Sequence, residues 1–165
     1  MFGKLFSKKA NDKEVIVKAP LTGELIPLEQ VPDPVFAQKI VGDGVAIKPS
    51  EGVLIAPVRG KVLHLASTFH AIGIVTDEGL ELLLHIGIDT VKLDGRGFNA
   101  CVKEGDQVEV GDKLIEFDIA TIEQAGFSTI TPVLVTNGDK VDSRKQETTG
   151  QVQAGLNEVI VLSLK

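Results

Sequence analysis

Two histidines fifteen positions apart, His70 and His85, are the residues of this chain best suited by type and spacing to do chemistry. Each lies in a short apolar run typical of a β-strand, and the turn at residues 76–79 separates the two runs. The arrangement predicts a β-hairpin, which can bring residues at this separation side by side. Because no third metal ligand is evident nearby, the pair favours chemistry on the imidazole itself.

Strand alternation predicts which way His85 faces. Side chains alternate between the two faces of a strand, so Leu84 and Ile86 point to one side and Leu83, His85 and Gly87 to the other. The first set is expected to join the core. The second set places an imidazole beside a glycine, on a face that a partner molecule can approach. The alternative is a surface histidine with no role.

His70 begins the other strand and has Thr68 two positions before it. A hydroxyl at that separation can hydrogen-bond a ring nitrogen and so select the imidazole tautomer. The alternative is a turn histidine beside an unrelated threonine. The third histidine, His64, stands between Leu63 and Leu65 without a polar neighbour in the sequence, and we expect it to face solvent as an ordinary strand residue.

Phosphoryl transfer through histidine suits this pair best. A neutral imidazole, with a reference pKa of ~6.5, offers a lone pair at physiological pH. One ring nitrogen can attack phosphorus while a carbonyl holds the other, and a second imidazole can donate to the phosphoryl oxygens. We assign His85 as nucleophile and His70 as stabiliser, although the residues alone allow the reverse. The sequence lacks a phosphate-binding glycine loop and kinase motifs, so the phosphoryl group is expected to arrive from another protein.

Three other functions compete with this interpretation. A catalytic zinc site usually needs three protein ligands, which the histidines reach only if Asp33, Asp89 or a partner contributes. Incidental zinc binding by His70 and His85 stays open. A biotinyl or lipoyl carrier would need an exposed lysine beside a methionine, but the only methionine is Met1. A purely regulatory or structural β-domain would leave both histidines without a role.

The composition restricts the partners and the setting. The chain has 165 residues and a net charge of −6, which disfavours nucleic-acid binding. Its single cysteine, Cys101, rules out an internal disulfide framework and favours a reducing, cytoplasmic setting. No apolar run approaches the roughly 20 residues of a membrane span. We expect residues 1–14 to form a flexible tail, in which residues 1–9 could instead make a weak amphipathic membrane contact.

The rest of the chain has the pattern of an all-β protein. Runs of valine, isoleucine and leucine alternate with glycine and proline turns. A repeated Ala-Pro-apolar-x-Gly-x-apolar pattern at residues 19–25 and 56–62 predicts a duplicated hairpin. Two short helical turns are expected, one capped by Asp33 before Pro34 and one with a capping box at residues 121–124. The predicted strands are Val15–Lys18, Gly44–Pro49, Val53–Ala56, Gly60–Leu65, His70–Val75, Leu80–Ile86, Asn99–Val102, Gln107–Val108, Lys113–Asp118, Thr129–Val135 and Val159–Lys165.

Five segments spread along the chain carry a resemblance to a known family. They are VPDPVFAQKIVGDGVAIKP at residues 31–49, TFHAIGI at 68–74, HIGIDTV at 85–91, GDKLIEFD at 111–118 and TPVLVTN at 131–137. From about residue 15 onward, the chain resembles the glucose-type enzyme IIA of the bacterial sugar phosphotransferase system. The resemblance implies an antiparallel β-sandwich or barrel-sandwich hybrid, with residues 15–165 forming a single phosphocarrier domain.

The resemblance also implies roles for the site residues. His85 would be the phosphorylated histidine, and His70 the second active-site histidine. Thr68 would be the hydroxyl that hydrogen-bonds His70. The carbonyl of Gly87 would fix the tautomer of His85 and leave Nε2 to attack. The donor would be the phosphocarrier HPr and the acceptor a cysteine on the IIB domain of a membrane sugar permease, with neither a metal nor a further cofactor required.

Members of this family dock their partners on an apolar ring around the histidines. The resemblance implies carboxylates near the rim of this ring, which would meet basic residues of the donor and speed the encounter. Without the resemblance, the same apolar side chains would be interpreted as core. The chain departs from the better-known enteric pattern of this family at two places, where Leu83 replaces an aromatic residue and Ala66-Ser67 replaces a larger pair. Both departures bear on the choice of partner. The implied ring is Val35, Phe36, Val41, Leu83 and Val91, and the implied carboxylates are Asp33 and Asp89.

Overall fold

The computed structural model describes residues 13–165, and β-strands provide most of their regular structure. All strand pairs are antiparallel, so the prediction of an all-β, antiparallel protein is confirmed. The strands are β1 (Glu14–Lys18), β2 (Gly23–Pro27), β3 (Asp43–Pro49), β4 (Val53–Ile55), β5 (Gly60–Leu65), β6 (Ala71–Thr76), β7 (Glu81–His85), β8 (Phe98–Ala100), β9 (Gln107–Val108), β10 (Lys113–Phe117), β11 (Thr131–Val135), β12 (Val141–Gln146), β13 (Gly150–Val152) and β14 (Glu158–Leu164).

The strands form one large sheet and two small ones. The large sheet has eight strands in the order β13-β2-β3-β11-β7-β6-β5-β9, and the small sheets have the orders β1-β14-β12 and β4-β10-β8. Among the described residues the large sheet does not close into a barrel, because β13 and β9 stay at its edges. Strand β7, which ends at His85, pairs with β11 at the centre of this sheet.

The two halves of the fold repeat each other about the β7–β11 pair. From the centre outward, one half of the large sheet runs β11-β3-β2-β13 and the other runs β7-β6-β5-β9. The two copies of the Ala-Pro pattern lie at equivalent places and bond to each other reciprocally. Lys18 N donates to Pro57 O and Ile55 N donates to Pro20 O, both at 2.9 Å. The predicted duplication of the hairpin thus agrees with the symmetric strand order of the large sheet.

Two apolar clusters hold the sheets together. The main core joins all three sheets through fully buried valine, leucine and isoleucine side chains. The second cluster lies on the opposite face of the large sheet, beneath the segment of residues 28–41. Because burying one such side chain stabilises by about 1.5–3 kcal/mol, this cluster anchors the segment beside the histidines. Its members are Leu28, Val31, Phe36, Ala46, Ile88 and Leu134.

Three strands were missing from the sequence prediction. β12 has no apolar alternation, because it lies at a sheet edge with most of its side chains in solvent. β13 spans three residues and begins at a glycine, so it offers too short a pattern to recognise. β2 ends in Pro27, a residue that argues against a strand within a sheet.

The structure confirms one helical cap and corrects the other. Helix α1 (Pro34–Ala37) begins after Asp33, whose carboxylate accepts from Val35 N at 2.9 Å, as predicted. Helix α2 (Ile119–Gln124) begins two residues before the predicted cap at Thr121. Its N-cap is Asp118, because this carboxylate accepts from Ala120 N and also binds the hydroxyl of Thr121 at 2.8 Å. Three short 3-10 helices complete the structure: Leu28–Gln30, Thr90–Leu93 and Gly138–Lys140.

The predicted tail and the folded part overlap by two residues. Glu14 belongs to β1, and the carbonyl of Lys13 accepts from Leu164 N at 2.8 Å, so both residues are part of the fold. The remainder of the predicted tail, including the proposed membrane contact at residues 1–9, lies outside the described residues. Within residues 13–165, every helix is too short and too polar to span a bilayer.

Candidate active site

The hairpin of β6 and β7 brings His70 and His85 together. Ala71 pairs with His85, and Ile86 N donates to His70 O at 2.7 Å. The two imidazole rings meet edge to face, with 4.9 Å between their centroids and 80° between their planes. The adjacency predicted from the hairpin is therefore present in the structure.

A turn before β6 places His70 on the same face as His85. In a regular strand, His70 would point away from the face that Ala71 shares with His85. The chain instead bends at Phe69, which has φ 61° in the left-handed region, and β6 begins only at Ala71. His70 thus lies beside the other imidazole. The sequence pattern carried no signal for this bend, because a bulky residue rarely adopts positive φ.

His85 has its two ring nitrogens in different environments. Nδ1 lies 2.8 Å from the carbonyl oxygen of Gly87. A carbonyl only accepts, so Nδ1 carries the proton and the lone pair is on Nε2. Burial lowers the pKa of His85 below its ordinary value, against the opposing effects of the Gly87 carbonyl and of Asp33 and Asp89. The imidazole is therefore predominantly neutral at pH 7, with Nε2 available to attack an electrophile.

His70 is buried, with 8% of its surface exposed. Its Nδ1 lies 2.6 Å from the hydroxyl oxygen of Thr68, as the sequence spacing predicted. Burial lowers the pKa of His70 to about 4, and the neighbouring His85 lowers it further in the same direction. When the Thr68 hydroxyl donates to Nδ1, the neutral ring holds its proton on Nε2 and can donate a hydrogen bond from there.

Gly87 has a backbone that only glycine fits. Its φ is 75°, and a Cβ there would lie 2.5 Å from Thr90 Cγ2 and 2.7 Å from Ser128 O. The absence of a side chain lets the turn after β7 fold back so that the Gly87 carbonyl reaches His85. The local sequence thus determines the tautomer of the candidate nucleophile.

Comparison with known proteins assigns the family. Residues 15–141 match the family described as phosphoenolpyruvate-dependent sugar phosphotransferase system, EIIA 1. The chain belongs to this EIIA family. It is 52% identical over 161 residues to the PTS system glucose-specific EIIA component of Oceanobacillus iheyensis, covering 97% of this chain and 98% of that protein. The corresponding component of Bacillus cereus is 47% identical over 165 residues and the full length of both chains.

A solved structure supports the same assignment. The glucose permease IIA from Mycoplasma capricolum superposes with a TM-score of 0.82 at 39% identity, covering 90% of this chain and 96% of that chain. The sequence resemblance, the sandwich fold and the reaction class are therefore confirmed. The protein is an EIIA component of the sugar phosphotransferase system and acts in phosphoryl transfer.

The predicted apolar ring of this EIIA protein divides into exposed and supporting side chains. Val35 is 44% and Val91 is 51% exposed, whereas Val41 and Leu83 are half-buried. Phe36 is only 7% exposed, and its ring packs against the imidazole of His85 with 4.9 Å between centroids. Phe36 therefore supports the histidine and presents little of its surface to a docking protein.

One exposed apolar residue of the rim was not predicted. Ile40 is 67% exposed, and its backbone N–H donates to Val35 O at 3.1 Å, which places it on the same turn as Val35. The sequence signal was the adjacent pair Ile40-Val41, only the second of which was named as a ring residue.

The two rim carboxylates differ in their local roles. Asp33 is half-buried and caps helix α1 through Val35 N, so it supports the segment that carries Phe36. Asp89 is exposed at the turn after β7, with φ 61°. Both act on His85 by favouring its protonated form. Their negative field therefore reaches the candidate nucleophile.

An ion-pair network holds the segment that covers the second cluster. Lys39 Nζ lies 3.1 Å from Glu29 Oε2 and 3.8 Å from Asp43 Oδ1, and Arg144 of β12 binds Asp43 as well. The network spans three elements, although each surface pair by itself contributes little to stability. The unpredicted strand β12 is thus linked, through Asp43 of β3, to the segment that carries Phe36.

The residues with metal-binding chemistry do not form a complete site. Within residues 13–165, histidine, cysteine and carboxylate side chains nowhere gather in a group of three or more. His70 and His85 could supply two ligands, and a docked protein would have to supply a third. Incidental zinc binding at the two histidines stays a prediction. The third histidine, His64, is exposed on β5 as expected, and its Nδ1 lies 3.3 Å from Glu104 Oε2.

Proposed function

We propose that this protein carries a phosphoryl group on Nε2 of His85, taken from phosphorylated HPr and passed to a cysteine on the IIB domain of a glucose-type permease. The observation that carries the proposal is the 2.8 Å contact between His85 Nδ1 and Gly87 O, because it leaves the lone pair on Nε2. Membership of the EIIA family supplies the reaction class, and the names of the relatives supply glucose as the sugar.

The two transfers balance without a further reactant. In the first, the Nε2 lone pair of His85 attacks the phosphorus of the HPr phosphohistidine. An N–P bond forms, and the electron pair of the breaking bond returns to the imidazole of HPr. In the second, a cysteine thiolate of the IIB domain attacks the same phosphorus, and the N–P electrons return to Nε2. The proton on Nδ1 stays in its hydrogen bond to Gly87 throughout.

His70 stabilises the transferred group in this scheme. The Thr68 hydroxyl oxygen lies 2.6 Å from Nδ1 of His70. In this scheme the hydroxyl donates to Nδ1, which leaves the ring proton on Nε2. That N–H can donate to a phosphoryl oxygen held on His85, whose ring centroid lies 4.9 Å away. A buried donor aimed at developing negative charge is among the stronger contributions to catalysis. Because the pKa of His70 is low, it acts as a neutral donor rather than as a cation.

The surface around the histidines suits docking by protein partners. Exposed Val35, Ile40 and Val91 provide apolar surface on the segment that carries Phe36 and on the turn that follows β7. Asp33 and Asp89 provide negative charge for a basic surface on HPr, which chiefly speeds and orients the encounter. Their charge also opposes that of a phosphoryl group on His85 and so keeps the adduct reactive. A cytoplasmic setting fits this scheme, since the accepting cysteine must be a reduced thiol.

Mapping the phosphorylated residue tests the proposal. The protein is incubated with phosphorylated HPr, and mass spectrometry locates an acid-labile, base-stable adduct with the mass of one phosphoryl group. We expect the adduct on His85 and its complete loss in His85→Ala. His70→Ala should still accept the group, and the exposed histidine variant His64→Ala serves as a matched control that accepts it normally. Phosphorylation that persists in His85→Ala and disappears in His70→Ala would reverse the roles.

A further inference from the structure

A buried threonine closes the turn that follows β7. Thr90 is completely buried, and its hydroxyl donates to the carbonyl of Ile86 at 2.5 Å. These two residues enclose Gly87 and Asp89, whose φ values of 75° and 61° lie in the left-handed region. Two departures into the left-handed region within three residues need support from outside the backbone, and the Thr90 hydroxyl supplies one such contact.

The same turn holds the carbonyl that faces His85. The peptide unit between Gly87 and Ile88 has its oxygen 2.8 Å from His85 Nδ1, and its N–H donates to Ser128 O at 3.0 Å. The orientation of this peptide unit therefore decides whether Nδ1 has an acceptor. Ser128 holds the N–H end of the unit, while the Thr90 hydroxyl holds the preceding carbonyl, that of Ile86.

Thr90 also contacts Gly87 through its methyl group. The position that a Cβ of Gly87 would occupy lies 2.5 Å from Thr90 Cγ2, so the methyl group packs directly against the glycine. Hydroxyl and methyl thus act on two sides of the same backbone segment. Neither group touches the candidate nucleophile, so any effect on chemistry has to pass through the Gly87 carbonyl.

We propose that Thr90 is a positioning residue, whose hydroxyl fixes the turn at residues 86–90 and thereby keeps His85 in the Nδ1–H tautomer. Without the hydroxyl, the Ile86 carbonyl loses its buried donor and the Gly87 peptide unit can rotate away from Nδ1. The competing Nε2–H tautomer then gains population, and that form has no lone pair on the attacking nitrogen. The effect on phosphoryl transfer rests on the proposed function, whereas the effect on the tautomer does not.

Nitrogen-15 NMR of the histidine rings tests the tautomer directly. We compare Thr90→Val, which keeps the shape and removes the hydroxyl, with Thr90→Ser, which keeps the hydroxyl. Thr76→Val is the matched control, because Thr76 is also buried and its hydroxyl oxygen accepts from Leu80 N at the other end of the same hairpin. The second measurement is the rate of phosphoryl acceptance from phosphorylated HPr.

We expect Thr90→Val to raise the Nε2–H fraction of His85 and to slow acceptance by about tenfold, the size of effect typical of one lost hydrogen bond. Thr90→Ser should restore both, and Thr76→Val should change neither. A Thr90→Val protein with the wild-type tautomer would overturn the inference, as would equal tautomer shifts in Thr90→Val and Thr76→Val. If Thr90→Val does not fold, Thr90→Ala takes its place in the comparison with Thr90→Ser. An Nε2–H fraction of His85 that is equal in these two variants would then overturn the inference.

The outcomes separate this inference from the proposed function. A wild-type protein that accepts no phosphoryl group on His85 would end the proposed function, while the NMR comparison would still decide the role of Thr90. Conversely, normal phosphorylation of His85 together with an unchanged tautomer in Thr90→Val would leave the proposed function standing and remove Thr90 from it.

Discussion

The imidazoles of His70 and His85 stand edge to face, 4.9 Å apart at their centroids, with His70 buried and His85 half-buried. Protonating either ring would place a cation beside the other in a poorly solvated environment. Burial therefore lowers the pKa of both, and the neighbouring His85 lowers the pKa of His70 further. The pair is held neutral, which suits a nucleophile and a neutral hydrogen-bond donor.

The stability of the protein should therefore fall on acidification. The pKa of His70 is lowered to about 4, whereas an unfolded histidine titrates near its ordinary value, so the unfolded state binds more protons between these limits. Stability declines as the pH falls from about 6.5 to 4, by about 2 kcal/mol between pH 7 and pH 5 for His70 alone. Urea denaturation at the two pH values measures this decline.

Two histidine variants isolate that contribution. His70→Gln removes the buried titrating group and should lessen the loss of stability between pH 7 and pH 5. His64→Gln removes an exposed histidine and should leave the loss unchanged. Equal pH dependence in the wild-type protein and in His70→Gln would show that the buried imidazole does not carry the effect.

Onward transfer should depend on His70 and Thr68 more than acceptance does. In His70→Gln we expect the phosphoryl group to load onto His85 and to leave for a IIB domain about 10²–10³-fold more slowly, because the transition state loses a buried donor. Thr68→Val should have a smaller effect in the same direction, since it frees the His70 tautomer without removing the ring. To obtain these rates, the protein is first phosphorylated and then mixed with the IIB domain, and the phosphoryl group on each of the two proteins is measured over time. Slow loading with normal release would contradict the assignment.

The exposed carboxylate of Asp89 should act on the encounter with HPr. Asp89→Asn preserves the left-handed backbone, which asparagine tolerates, and removes only the charge. We expect acceptance to slow about two- to fivefold at low salt and the difference to vanish as salt screens the charge. Asp94→Asn is the matched control, since Asp94 is exposed at φ 54° at the other end of the 3-10 helix that Asp89 precedes and is not among the groups that shift the pKa of His85. A salt-independent defect would argue for a structural role of Asp89.

Substitution at Gly87 should damage both stability and acceptance. A Cβ at Gly87 meets Thr90 Cγ2 and Ser128 O at distances that real structures do not allow, and φ is 75°. Gly87→Ala should therefore cost about 2–4 kcal/mol of stability and slow phosphoryl acceptance. Gly126→Ala has a similar φ of 89° and open space for its Cβ, so it should cost only about 1 kcal/mol. Thermal unfolding measures both, and equal costs would dismiss the steric explanation.

Strong local patterns account for the parts of the fold that were predictable. The alternation along β7 correctly separated buried Leu84 and Ile86 from half-buried His85. Successive side chains of a strand point to opposite faces, so packing against one face buries every second residue. Asp33 before Pro34 likewise identified the cap of α1. The polar strand β12 was not predicted, because an edge strand needs no apolar face. The cap of α2 at Asp118 was not predicted either, because both Asp118 and Thr121 are residues that can cap a helix.

The sequence by itself determined the family, the sandwich of antiparallel strands, the two histidines and the glycine whose carbonyl selects the tautomer of His85. The family and the role of the Gly87 carbonyl follow from the resemblance of several segments to a known family. The strands and the histidine pair follow from residue type and local spacing, which act over a few residues. Only the tertiary structure decided that the ring of His70 lies beside that of His85, that Phe36 packs against the candidate nucleophile, and that Ile40 is exposed on the turn that carries Val35. Each of these depends on packing between segments distant in the chain, and no local pattern encodes such contacts.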